Sequence, residues 1–199
     1  MTDLADTFAF MATGQMYDDL VDELCEARRQ AVLATNAYNA SYGQPQNIRE
    51  KLLRELLGSV GEGANFEPTF RCEFGRNIHI GKNFFGNFDC VLLDGAPITI
   101  GDNVLFGPKV GLYTSNHALD AQERANGACW AGPITIGNRV WLGANVTVLQ
   151  NVTIGDDSII GAGSVVTSDI PAGVIAVGNP AHVIRKITET DRTGYKPIH

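Results

Sequence analysis

Residues 134–166 read ITIGNRVWLGANVTVLQNVTIGDDSIIGAGSVV. From Ile136 an aliphatic residue or alanine recurs at every sixth position: Leu142, Val148, Ile154, Ile160, Val166 and, just past the stretch, Ala172. Glycine follows four of these anchors, as Gly137, Gly143, Gly155 and Gly161. Four places after each anchor stands a small or β-branched residue: Val140, Val146, Val152, Ser158, Ser164, Ile170. A period of six is neither the 3.6 of a helix nor the alternation of an ordinary half-buried strand. It fits a triangular solenoid with three short strands per coil, each inward side chain stacking about 4.8 Å from its equivalent one coil away.

Working outward, Ile100, Phe106 and Leu112 repeat the register, with Gly101 and Gly107 beside the first two. Coil-like openings recur at Ile78-His79-Ile80-Gly81, Ile98-Thr99-Ile100-Gly101, Ile134-Thr135-Ile136-Gly137 and Val152-Thr153-Ile154-Gly155. The gap between the middle two is double-length and contains Ala118 to Gly132, which has loop composition and no hexad signal. A loop of that length inside a compact solenoid is usually functional. The 22 glycines concentrate in the solenoid body. They are expected at coil corners, where the chain needs unusual dihedrals. The general crossover rule alone predicts a right-handed path.

The first 60 residues differ: charged and glycine-poor. Met16, Leu20, Leu24 and Ala27 recur at helical spacing, with Asp18, Asp19, Asp22, Glu23 and Glu26 largely opposite. A second helix is predicted from Asn47 as cap, with Glu50 completing a capping box, a stripe of Ile48, Leu52, Leu53, Leu56 and Leu57, and Gly58 as stop. Thr35 to Gln46 reads as loop. The expected organisation is a helical segment over 1–60, a β-helix over 61–185 with an inserted loop at 118–132, and a tail over 186–199.

The motif [Ile/Leu/Val]-Gly-x4 resembles the hexapeptide-repeat acyltransferases, whose solenoid is a left-handed parallel β-helix. Within them the chain is similar to the maltose and galactoside O-acetyltransferases over nearly its whole length. The likeness is carried by the helical head, Asn77-Ile78-His79-Ile80-Gly81, Asn83-Phe84, His117, Pro133-Ile134-Thr135-Ile136-Gly137, Gly161-Ala162-Gly163-Ser164-Val165-Val166-Thr167 and Gly178-Asn179-Pro180-Ala181. The resemblance implies transfer of acetyl from acetyl-CoA, as co-substrate, to a hydroxyl of a sugar or related small acceptor. It also implies a cytoplasmic homotrimer with sites between subunits, and the helical head as a cap on the acceptor site.

The residue roles follow from the same resemblance. His117 would be the general base, suited by its near-neutral titration. Asn87 would orient the acceptor, and the backbone amide of Ala144 would meet the thioester oxygen. Asp19, Arg28, Glu73 and Asp94 would line the acceptor pocket, with Trp141 as a wall and Cys129 reaching the pocket of a neighbouring subunit. Glu73 is closer to the acidic residue of the maltose enzymes than to the small hydroxyl residue of the galactoside enzymes. Ala162, Thr167 and Ser168 would follow the pantetheine arm, and Ala144 also belongs to that set. His182, Arg185 and Lys186 stand where nucleotide phosphates are held. His182 replaces a family Arg, and Ser168 stands where Lys is often found. Taken one at a time, packing or solvation accounts for each of these side chains, so the roles rest on the resemblance.

The remaining composition narrows the classes. A net charge of −7 argues against a broad basic nucleic-acid surface. No apolar run reaches spanning length, and Asp3 and Asp6 spoil a signal-peptide pattern. The cysteines Cys25, Cys72, Cys90 and Cys129 show no paired spacing, so reduced thiols and no metal site are expected. Two other classes stay open. A zinc hydratase resembling the γ-class carbonic anhydrases would need three ligands from His79, His117 and His182, whose spacings do not suggest convergence. A non-catalytic scaffold would not need His117.

Overall fold

The computed structural model describes residues 4–196. The hexads build a parallel β-helix with three faces. The first face stacks Ser59–Val60, Ile78–Ile80, Ile98–Ile100, Ile134–Ile136 and Val152–Ile154. The second stacks Asn65–Phe66, Phe85–Gly86, Leu105–Phe106, Trp141–Leu142, Ile159–Ile160 and Val174–Gly178, and Ala181–Lys186 closes it antiparallel. The third stacks Arg71–Cys72, Val91–Leu93, Gly111–Tyr113, Thr147–Leu149 and Val165–Val166.

The anchors Ile136, Leu142, Val148, Ile154, Ile160 and Val166 are buried, as are Ile100, Phe106 and Leu112. Full burial of such side chains stabilises by roughly 1.5–3 kcal/mol each. Phe66, Phe84 and Phe106 stack through the first coils at 4.8 and 5.0 Å between successive rings. The register departs from expectation at its end: Ala172 is exposed. Ile170 is buried and bridges Ile154, because the last coil is two residues short.

The glycines beside the anchors serve a different purpose from the one expected. The left-handed residues other than glycine in the solenoid are Asn83, Asp89, Asn103, Lys109, Arg139, Asn145, Asn151 and Asp157, the third after each inward position, and Gly63, Gly163 and Gly173 fill the same corner position with positive φ. The glycines beside the anchors have no such dihedral. A Cβ on Gly107 would lie 2.6 Å from the Ala144 nitrogen, and one on Gly155 would lie 2.5 Å from the Ala172 nitrogen. They are needed because the next coil passes against their Cα.

The head forms three helices: α1 (Leu4–Met11), α2 (Asp22–Ala40) and α3 (Gln46–Leu56). The predicted first helix is displaced. Met16 and Leu20 are exposed outside it, and Tyr17–Asp18 is a short strand. The predicted loop at Thr35 is helix to Ala40, since Thr35 and Tyr38 are buried against the solenoid. Asn47 does not cap α3; Pro45 precedes it without a side-chain cap, and Glu50 pairs with Arg54 instead. Gly58 is required by close approach, with its Cβ position 2.3 Å from the Arg76 carbonyl. The Tyr38 hydroxyl donates to Phe66 O and accepts from Phe66 N and from buried Arg49, each at 2.9 Å. These bonds dock α2 and α3 on the first coil.

Residues 118–132 are not an irregular loop. Ser115–His117 and Ala128–Ala131 pair antiparallel as a hairpin, with α4 (Ala121–Ala125) at its tip. Asp120 caps α4 by accepting from Gln122 N and Glu123 N. Tyr17–Asp18 adds a third strand beyond Ala128–Ala131. Ile98–Ile100 stacks directly on Ile134–Ile136, so the solenoid continues beneath the extruded hairpin. The expected tail begins at the end of the last strand and includes a turn of 3-10 helix at Glu189–Asp191. Its residues 197–199 lie outside those described.

Candidate active site

The hairpin leaves the solenoid at the corner after the third face. Thr114 anchors it: the buried hydroxyl donates to Leu93 O at 2.7 Å and accepts from Ala96 N at 3.0 Å. His117 is the last residue of the outgoing strand and its side chain is exposed. Ser115 lies two residues earlier, so both project to the same side.

Ser115 Oγ donates to Glu73 at 3.4 Å. Arg28 Nε donates to the other Glu73 oxygen at 3.0 Å, and its two terminal nitrogens donate to the Asp19 carbonyl oxygen and carboxylate. One half-buried guanidinium thus ties α2, the strand from Tyr17 and the corner at Glu73 to the strand carrying His117. Burial pushes the Glu73 carboxyl above its usual range, with Arg28 pulling it back. Burial opposes the charge on Arg28, and its bonds to Glu73 and Asp19 outweigh that and raise it.

Asp94 lies beneath this cluster, fully buried. It accepts from the backbone amides of Phe74 at 2.8 Å, Glu73 at 3.1 Å and Asn77 at 3.2 Å. Burial pushes its carboxyl upward despite those amides. Its geometry is that of a group fixing the turn that presents Glu73. Cys129 is the cross-strand partner of His117, but its side chain is buried among Phe8, Met11, Leu24 and Phe74. Burial raises its thiol as well.

The second group of expected site residues sits on another corner, after the second face. Asn87, Gly107, Gly143 and Gly161 occupy equivalent positions there, each donating its amide to the next coil. Asn87 Oδ1 accepts from Phe88 N at 2.8 Å, which leaves its side-chain NH2 to donate outward. Ala144 and Ala162 are exposed one above the other. The Ala144 N–H has no acceptor among the described residues, whereas its carbonyl accepts from Gly163 N at 2.8 Å. Trp141 is half-exposed on the second face, stacked between Leu105 and Ile159.

Thr167 and Ser168 are exposed on the His117 corner, beyond the third face. That face is one hexad wide, roughly 15–20 Å of extended chain. A single chain therefore brings together His117, Ser115, Glu73, Arg28 and Asp19, and holds Asn87, Ala144, Ala162 and Trp141 apart from them. His182 and Lys186 are exposed on the last strand. Arg185 forks onto Asp191 with two bonds of 2.8 Å. Ser115 and Tyr17 join the cluster only through long-range pairing, and no local pattern in the sequence marks them.

A parallel solenoid with an extruded hairpin presenting a solvent-facing histidine above a carboxylate–guanidinium cluster is the frame of a solenoid acyltransferase. Comparison with known proteins agrees. Residues 133–168 match the family description "Bacterial transferase hexapeptide (six repeats)", and residues 11–61 match "Maltose acetyltransferase hexapeptide capping motif". The chain is 43% identical to the galactoside O-acetyltransferase of Escherichia coli K12 over 182 residues, covering 92% of this chain and 90% of that one. A crystal structure of a maltose O-acetyltransferase from Clostridium difficile superimposes with a TM-score of 0.88 at 44% identity, covering 92% of this chain and 98% of that one. A galactoside acetyltransferase in complex with coenzyme A superimposes with the same score at 42% identity, covering 93% and 92%. The chain belongs to the hexapeptide-repeat acetyltransferases of the maltose and galactoside O-acetyltransferase type, and it is an enzyme of that kind. No helix among the described residues is long and apolar enough to cross a membrane.

Proposed function

We propose that the protein moves an acetyl group from acetyl-CoA to a hydroxyl of a sugar or related polyol, directly and with His117 as general base. The observation that carries this reading is His117, presented on the same side of its strand as Ser115 and so beside the Glu73–Arg28–Asp19 cluster. That cluster has acceptors for several acceptor hydroxyls and a cation to keep the carboxylates charged.

His117 takes the proton from the attacking hydroxyl as its oxygen bonds to the thioester carbonyl carbon. The carbonyl oxygen becomes an oxyanion and receives the unpartnered Ala144 N–H, with the Asn87 side-chain NH2 steadying the acceptor. Collapse breaks the carbon–sulfur bond, and the imidazolium returns its proton to the departing thiolate. The products are an acetyl ester and free coenzyme A. Exposed, small Ala144 and Ala162 leave room for an extended pantetheine arm, with Thr167 and Ser168 on its far side and His182, Arg185 and Lys186 at the phosphates. The burial of Cys129 and its raised thiol oppose an acetyl-enzyme; trapping acetyl on Cys129 would overturn direct transfer.

Because the two groups of residues occupy different corners, the complete site is assembled between chains, and we read the enzyme as a homotrimer. The second face supports this with an outward ladder of Phe85, Leu105 and Trp141, the last two about half exposed. The test is coenzyme A release from acetyl-CoA with a panel of sugars and amines, beside His117→Ala. Sugar-dependent release lost by about 10²–10⁴-fold in the variant is expected. Equal release from both proteins, or release with amines alone, would refute the reading.

A further inference from the structure

The sheet that carries His117 has three strands, and one row across it runs Tyr17, Cys129, His117. Directly paired residues of antiparallel strands stand side by side on one face of the sheet. His117 is the exposed end of that row and Tyr17 the buried end, 8% exposed. The Tyr17 hydroxyl is the one buried side-chain nitrogen or oxygen among the described residues with no hydrogen-bond partner. The Cys129 thiol lies close enough to perturb it but makes no hydrogen bond of ordinary geometry, and sulfur is a weak partner in any case. The contrast with Tyr38 is direct, since that buried hydroxyl is satisfied by Phe66 O, Phe66 N and Arg49. A buried hydroxyl left unpaired costs free energy and calls for an explanation.

The surroundings supply one. A Cβ on Gly95 would lie 3.3 Å from Tyr17 Oη and 2.4 Å from Ser115 Oγ, so the Ser115 hydroxyl packs against the bare Gly95 Cα beside Tyr17, and space opens there only when that hydroxyl turns away. The Ser115 hydroxyl makes one hydrogen bond among the described residues, the long 3.4 Å one to Glu73. Burial keeps the Tyr17 hydroxyl protonated, able both to donate and to accept. We propose that Tyr17 is a specificity-determining contact for the acceptor: its missing partner is a hydroxyl of a polyhydroxylated substrate, admitted beside Gly95 when Ser115 turns from Glu73. The proposal rests on the sugar-acceptor reading above. It assigns the buried end of the pocket to the head, through the strand that joins α1 to α2.

The test is Tyr17→Phe, which removes one oxygen and keeps the ring. Thermal unfolding of the free protein and steady-state kinetics are read together, with glucose, maltose, a galactoside and their deoxy analogues as acceptors. The expected result is a Tm equal to or above that of the wild type, because no partner is lost. The acceptor KM should rise about 5–10-fold, with the acetyl-CoA KM unchanged. One deoxy sugar should fail to distinguish the two proteins. A Tm lowered by several degrees would show that the oxygen has a partner within the fold and would overturn the proposal. So would an unchanged acceptor KM in a variant whose wild type acetylates sugars, and that result leaves the sugar-acceptor reading standing. A wild type that acetylates none of these sugars overturns both.

Discussion

Gly155→Ala tests why the solenoid needs its glycines. The added methyl would stand 2.5 Å from Ala172 N, 2.8 Å from Ala172 Cα and 3.0 Å from Pro171 C, all of them backbone atoms. Ordinary contact begins near 3.4 Å, so the two coils must part by about 0.9 Å at this corner. The local rungs that would stretch are Gly155 N to Ile170 O and Gly173 N to Asp156 O, both 2.8 Å. Each is worth about 0.5–1.5 kcal/mol net, and overpacking adds roughly 1–3 kcal/mol. The expected loss is about 2–6 kcal/mol, or roughly 4–24 °C in Tm for a chain of this size. Asn151→Gly is the control. Asn151 has a φ of 60°, where glycine is at ease, so that change should stay within about 1 kcal/mol. The assay is thermal and urea unfolding at one fixed protein concentration, because association shifts apparent stability. A Gly155→Ala protein within about 1 kcal/mol of wild type would refute close approach as the cause. A large gain from Asn151→Gly would point back to dihedral strain.

Three further outcomes are expected. Arg28→Met removes the cation that pulls the buried Glu73 carboxyl back toward its usual range, so Glu73 should hold its proton to higher pH in the folded state. Folded Glu73 then binds more protons than unfolded Glu73 above the ordinary carboxylate range, so stability falls as pH rises through that window. Urea midpoints should therefore drop more at pH 7.5 than at pH 5, and an equal drop at both would count against the cause. Asp191→Asn should free the Arg185 guanidinium for phosphate, lowering the acetyl-CoA KM several-fold and more at low salt. A raised KM would show that Asp191 positions Arg185 instead. Leu105→Asp, in the middle of the exposed apolar ladder, should dissociate the proposed trimer in sedimentation velocity and abolish turnover, whereas an active trimer would place the interface elsewhere.

The period of six was legible because it is local. A hexad places one side chain per face in the core whatever its partners are, so Ile136 to Val166 specify strands, faces and stacking without long-range knowledge. The same locality misled at Ala172, where a coil shortened by two residues moves the inward position to Ile170. It also misled at the glycines, since a sequence shows a missing side chain but not the neighbouring backbone that requires it. In the head, helical spacing suggested a helix through Met16 and Leu20. Tyr17–Asp18 instead pairs with Ala128–Cys129, and that tertiary pairing overrides local periodicity.

His117 could be singled out from the sequence because it ends a run of hexads, and family resemblance gave it a role. The site around it depends on pairings between residues far apart in the chain. Arg28 meets Glu73 across the docked head, and Ser115 reaches Glu73 only because the hairpin leaves the solenoid at that corner. The unsatisfied Tyr17 hydroxyl is visible only once every neighbour is in place. The division of the expected site residues between two corners likewise comes from the winding of the chain. The sequence by itself determined a solenoid and its register, because a repeated core pattern acts through near neighbours. Tertiary structure decided the hairpin, the Glu73–Arg28–Asp19 cluster and the separation of the expected site residues onto two corners, because those depend on which distant segments the folded coils bring into contact.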